Sequence, residues 1–133
     1  MSAQSRCFIF CDTLSQFAEQ NDFVARVPAG ITNRQQLFEV LSRELSLPSY
    51  FGNNWDALSD CLSDLSWIER RRVIIAHKAI PELDPATLRA YLDVLAECAT
   101  HWKRDEEHEL LVLFPESAQG EIARILTGGS DAP

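Results

Sequence analysis

The stretch Leu47-Pro48-Ser49-Tyr50-Phe51-Gly52-Asn53-Asn54-Trp55-Asp56-Ala57-Leu58-Ser59-Asp60-Cys61-Leu62-Ser63-Asp64-Leu65 decides how the chain is read. Pro48 disfavours helix at Leu47, Gly52 permits a tight or left-handed turn, and Asn53 or Asn54 offers a side-chain oxygen to cap a helix starting near Trp55. At about 100° per residue, Trp55, Ala57, Leu58, Cys61, Leu62 and Leu65 share one face, and Asp56, Asp60 and Asp64 share the opposite one. One side packs and the other is a row of carboxylates. That row costs stability, because like charges four apart repel and no Lys or Arg lies in residues 47–65. An acidic helix face is often no more than a solvated one. Here Tyr50 and Phe51 border it, and aromatics beside a patch of single sign point to recognition of a partner.

Working outward, residues 6–11 read as a short buried strand, and Asp12 or Thr13 caps a helix running to about Gln20. Residues 23–27 alternate as a second strand. Asn33 and Gln36 form a capping box for a helix whose buried stripe is Leu37, Phe38, Leu41 and Leu45. Beyond the acidic helix, Arg70, Arg71 and Arg72 precede the apolar run at 73–76, which fits a strand covered on both faces. The triplet is read as a solvated start to that strand, since no glycine-rich phosphate loop accompanies it. Asp84 and Pro85 open a helix to about Trp102, with Leu88, Tyr91, Leu92, Leu95, Ala99 and Trp102 as its core stripe. A charged connection over 103–109, a strand over 110–114 and a last short helix over 117–127 complete the chain, and 128–133 form a disordered tail. Strands alternating with helices predict an α/β layer structure with a small, mainly parallel sheet packed by helices.

The chain has 133 residues, 46% of them hydrophobic, enough for one domain with its own core. A formal net charge of −8 argues against direct binding to nucleic acid or anionic membranes and favours a basic partner. No signal-like or membrane-spanning apolar run is present, so the expected compartment is the cytoplasm. The spacing of Cys7, Cys11, Cys61 and Cys98 fits reduced thiols rather than a disulfide framework or zinc site, and no cofactor is expected. His77, His101 and His108 have no metal-ligand spacing; His101 and His108 are expected to be exposed, and His77 ends a strand. Asp56 and Asp60 on an open helix face lack the contrasting environments that acid–base catalysis needs, so no catalytic residue is assigned and the chain is not read as an enzyme.

The gapless pattern Leu-Pro-x-Tyr-Phe-Gly-x-Asn-Trp-Asp-Ala-Leu-x-Asp-Cys-Leu at 47–62 closely resembles the signature of the barstar family of intracellular ribonuclease inhibitors. The resemblance extends more loosely over about 23–114, leaving 1–22 and 115–133 as extensions: an added N-terminal strand and helix and a C-terminal helix around one barstar-like domain. It implies a protein that fills a basic ribonuclease active site of barnase type with carboxylates and so blocks RNA, acting as an immunity or antitoxin protein. By that resemblance Asp60 is the principal inhibitory carboxylate, Asp56 a second acidic contact and Tyr50 an aromatic one. Gly52 and Asn54 match the turn and contact positions that shape the approach, and Glu97, in Val94-Leu95-Ala96-Glu97, matches a further acidic contact. Two departures bear on the partner. Ser59 stands where the family usually presents an aromatic between its two aspartates, and Asp64 adds a carboxylate where a small residue is typical. These leave open a different basic protein or nuclease toxin as the target.

Overall fold

The computed structural model describes residues 8–13, 21–48, 52, 54–105 and 107–127. In chain order its elements are β1 (Phe8–Phe10), β2 (Phe23–Val27), α1 (Arg34–Glu44), α2 (Trp55–Asp64), β3 (Arg72–His77), α3 (Pro85–Asp105), β4 (Glu109–Phe114), a 3₁₀ turn (Glu116–Ala118) and α4 (Gln119–Thr127). The four strands form one sheet in the order β1-β4-β3-β2, every pair parallel. This is the α/β sheet packed by helices that the alternation of patterns predicts. The added N-terminal strand extends the sheet at the β4 edge, and the C-terminal helix is present. The expected helix ending near Gln20 falls on residues 14–20, which lie outside the described residues, as do residues 1–7 and the tail 128–133.

Register explains the core. Phe8, Val112, Ile75 and Ala25 lie side by side across the sheet, and with Val27, Val73, Leu110 and Phe114 they point to one face. These residues share a buried cluster with Leu37 and Leu41 of α1, Leu58 and Leu62 of α2, Leu92 and Leu95 of α3, and Ile122 of α4. The opposite face is also apolar. Its Ile74 and Leu113 are 0% and 2% exposed, which accounts for the unbroken hydrophobic run of β3.

Capping follows the side-chain chemistry. Asn33 Oδ1 accepts from the Gln36 N–H at 2.9 Å, and Gln36 Oε1 in turn accepts from the Thr32 N–H at 2.9 Å, one residue earlier than a standard capping box. Asp84 accepts from the Thr87 N–H at 3.1 Å and the Thr87 hydroxyl at 2.6 Å, and these bonds hold its carboxyl below the usual range. α3 continues past Trp102 to Asp105, so the charged connection is shorter than the sequence suggests.

Two readings are corrected. The arginine triplet is not simply a solvated strand start: Arg72 makes a bidentate pair with Asp22 (Nε–Oδ1 3.0 Å, Nη2–Oδ2 2.8 Å), whose side chain is 5% exposed. Arg70 donates to the Asp22 carbonyl at 3.2 Å and Arg71 reaches Glu109 at 3.4 Å, so the triplet ties the start of β3 to those of β2 and β4. His108 is buried rather than exposed; its Nδ1 is 3.0 Å from the Arg70 carbonyl and its ring meets Trp102 edge-on at 5.0 Å.

His77 is the other buried imidazole, stacked on Phe114 with centroids 4.0 Å apart. Its Nδ1 is 2.9 Å from the Leu113 carbonyl, which can only accept, so Nδ1 carries the proton and Nε2 accepts from the Tyr91 hydroxyl at 2.7 Å. Burial pushes the His77 pKa down from 6.5 to about 4 and the Tyr91 phenol up. Because the unfolded chain binds the proton more readily, this term is fully present above pH 6.5 and fades as pH falls toward 4. Denaturant titrations at pH 7 and pH 4 should show the loss of stability on acidification shrink by about 3 kcal/mol in His77→Gln, measured against the wild type. An unchanged loss would mean that the imidazole is not neutral in the folded state.

Candidate partner-binding face

α2 begins where the sequence places it. Asn54 is its N-cap, with Oδ1 accepting from the Ala57 N–H at 2.8 Å, and the Asn54 amide donates to the Gly52 carbonyl at 3.3 Å. Gly52 is therefore not a left-handed turn residue: among described glycines only Gly30 has positive φ. What a side chain would disturb at Gly52 is the Asn54 amide, 3.2 Å from the position of a Cβ. The left-handed residues flanking α2 are Ser46 (φ 52°) and Leu65 (φ 49°). Leu65 is fully buried, and its N–H bonds to the Cys61 carbonyl at 3.1 Å, so side-chain burial offsets an unfavourable backbone conformation costing about 1–2 kcal/mol.

The two faces of α2 separate as the spacing predicts. Leu58, Cys61 and Leu62 are buried, whereas Asp56, Asp60 and Asp64 are exposed. Trp55 anchors the first turn between Phe38 of α1, edge-on at 4.9 Å, and Tyr91 of α3, at 6.1 Å. Trp102 of α3 anchors the last turn by donating its indole N–H to the Leu62 carbonyl at 2.7 Å. Behind the helix, Trp67 donates to the Leu45 carbonyl at 2.9 Å and ties the exit of α2 to the end of α1.

Between these anchors runs a polar seam. The Cys98 thiol of α3 lies 3.5 Å from Ser63 Oγ, 3.8 Å from Ser59 Oγ and 3.6 Å from the Ser59 carbonyl. Ser59 is thus half-buried against α3, beside the exposed aspartates. Burial chiefly raises the Cys98 pKa; the two serine contacts oppose it, and the Glu97 and Asp60 charges add to it. Asp60 and Glu97, from separate helices, are therefore both close enough to act on one thiol. Cys61 is raised likewise, by burial first and then by Asp60 and Asp64. The described cysteines Cys11, Cys61 and Cys98 are free thiols.

The structure thus brings Asp56, Asp60 and Asp64 onto one open face, with Asn54 at its start and Glu97 alongside. Tyr50 and Phe51 lie outside the described residues. Sequence reasoning missed the supports: Trp102 read as generic core stripe and Cys98 as a reduced thiol, and their four-residue spacing says nothing of the α2 carbonyls and hydroxyls they meet.

The family described as Barstar (barnase inhibitor) matches residues 22–115. The chain belongs to the barstar family. No solved structure gives a significant match to it. The barstar-family match begins one residue before β2 and ends just after β4, so it contains β2, β3, β4 and the first three helices, while β1 and α4 fall outside. Among the described residues no helix is long and apolar enough to cross a membrane, and no cluster of His, Cys, Asp or Glu could hold a metal ion.

The Asn54 cap is testable apart from any partner. Asn54→Ala should cost about 1 kcal/mol in urea unfolding, and Asn54→Ser should recover most of it, since serine can accept from the same N–H.

Proposed function

We propose that this protein inhibits a basic ribonuclease of barnase type by inserting the acidic face of α2 into the site that would otherwise hold RNA phosphates. The observation that carries the reading is the exposed row Asp56, Asp60 and Asp64 on a helix anchored at both ends within a barstar-family domain. A ribonuclease holds phosphates with Arg, Lys and His, and carboxylates on a rigid support can take the same hydrogen bonds. Because the support is already ordered, little conformational entropy is lost on docking. The net charge of −8 accelerates encounter with a cationic partner.

In this reading Asp60 enters the partner's site most deeply and Asp56 and Glu97 flank it. Tyr50, Phe51, Gly52 and Asn54 form the approach, and Ser59 and Asp64 adjust specificity. The protein would act in the cytoplasm, protecting its cell from its own enzyme or from an incoming nuclease toxin. Ser59 supports a second reading within the same fold. Turned toward Cys98, it presents no aromatic between the two aspartates, which favours a basic partner other than barnase-type enzymes.

The test is titration of a barnase-type ribonuclease with wild-type protein and with Asp60→Ala, at low and moderate salt. Asp60→Ala should weaken inhibition by about 2–5 kcal/mol, roughly 30- to 5000-fold in Kd, whereas Asp64→Asn should mainly lower the association rate and its salt dependence. Equal inhibition by wild type and Asp60→Ala would overturn the assignment of the site. No inhibition by the wild type would favour the second reading, and the acidic face would then serve as bait for another basic protein.

A further inference from the structure

At the C-terminal ends of the strands lies a cavity of about 470 Å³ that contains no residue of the acidic helix among its described lining. Arg26 and Val27 of β2, Ala76 and His77 of β3, Leu113 of β4 and Cys11 just after β1 all contribute to its wall. By strand register Arg26, Ala76 and Leu113 belong to the sheet face turned away from the helical core. In open parallel sheets the crevice beyond the carboxyl ends of the strands is the usual place for a small ligand.

Its charge runs against that of the chain. Among the described residues, Arg26, Arg43 and Lys78 line it with Asp12 as the one lining carboxylate, in a protein whose net charge is −8. Asp12 is engaged, its Oδ1 accepting from the Glu116 N–H at 2.9 Å. Glu44 lies beside the rim, 3.6 Å from Arg43, and accepts from the Arg26 backbone N–H at 3.0 Å. It therefore offsets Arg43 and leaves the Arg26 and Lys78 side chains as the cations of the rim. His77, kept neutral by burial, adds no charge. The floor of Pro28, Ala76 and Leu113 is apolar.

We infer that this cavity binds a small organic anion, its apolar body on Pro28, Ala76 and Leu113 and its carboxylate, phosphate or sulfonate between Arg26 and Lys78. An apolar floor supplies affinity through buried area, and the two lining cations fix the orientation of the charged end. A purely inorganic anion would leave the floor unused, and a neutral apolar molecule would leave the cations uncompensated. The site is independent of the inhibitory reading of α2.

The probe is anilinonaphthalene sulfonate, with uncharged phenylnaphthylamine as its comparison, followed by fluorescence and by backbone amide shifts in the intact protein at low salt. Saturable binding is expected, with shifts concentrated at Arg26, Val27, Ala76 and Lys78, and with the uncharged analogue at least about tenfold weaker. Arg26→Glu combined with Lys78→Glu should weaken the sulfonate at least about tenfold, while Arg34→Glu, a single reversal elsewhere on the surface, and Asp60→Ala leave it unchanged. Ala76→Phe, which fills the floor without altering charge, should block the site in protein whose circular dichroism is native. Lack of binding to the wild type, equal affinity for the uncharged analogue, shifts confined to other residues, or indifference to the double reversal would each overturn the inference.

Discussion

α2 would not stand alone. It is ten residues long, carries Asp56, Asp60 and Asp64 in line, has no basic residue in its last turn, and ends on a left-handed leucine. A helix of that length is marginal in water even with favourable side chains, and its two like-charge neighbours subtract about 0.2–0.5 kcal/mol each. Burial decides the balance. Leu58 and Leu62 are fully enclosed, each contributing about 1.5–3 kcal/mol of transfer free energy, and Cys61 and Leu65 extend the same contact. The apolar face therefore supports what the acidic face costs, and the position of α2 is dictated by the elements it packs on.

α3 is the chief of those elements. Its twenty-one residues span the sheet and present Tyr91, Cys98 and Trp102 to successive turns of α2. The contacts differ in kind: a ring against the first turn, a thiol beside two hydroxyls in the middle, an indole donor on a carbonyl at the end. Hydrogen bonds restrict rotation about the helix axis more sharply than apolar contact does, because they weaken steeply with angle. A helix fixed in rotation holds its outward carboxylates at fixed positions, which is the property that recognition of a phosphate-binding groove requires. Tyr91 serves twice, meeting Trp55 with its ring and His77 with its hydroxyl, and so joins the support of α2 to the centre of the sheet.

Much of this was legible in the sequence because periodicity and capping are local. The start of α2, the split of its faces, the buried stripe of α3 and the doubly covered β3 all follow from spacing alone. The failures are long-range. Gly52 read as a tight or left-handed turn because glycine permits either, and the left-handed alternative fails: its φ is not positive, and its smallness serves the Asn54 amide. His108 read as exposed because its neighbours in sequence are charged, but the ends of α3 and β3 converge on it. Arg72 read as solvated because Asp22, its partner, lies fifty residues away. The strand-end cavity had no sequence signature at all, since Cys11, Arg26, Lys78 and Leu113 become neighbours only through strand order.

The parallel sheet also keeps opposite charges apart. α2 packs into the cluster on one face, and the cationic cavity opens at the strand ends and along the other. Interactions between solvent-exposed charges decay over about 8 Å at physiological salt, so two surfaces that face solvent on different sides of the sheet each present their own local field. At long range the net charge of −8 governs encounter, attracting cationic proteins and opposing small anions. An anion reaching the cavity must therefore gain at short range what it loses in approach, through desolvated contact with Pro28, Ala76 and Leu113 as well as through the rim. For that reason the apolar floor and the cations are better understood as one site than as two coincident features.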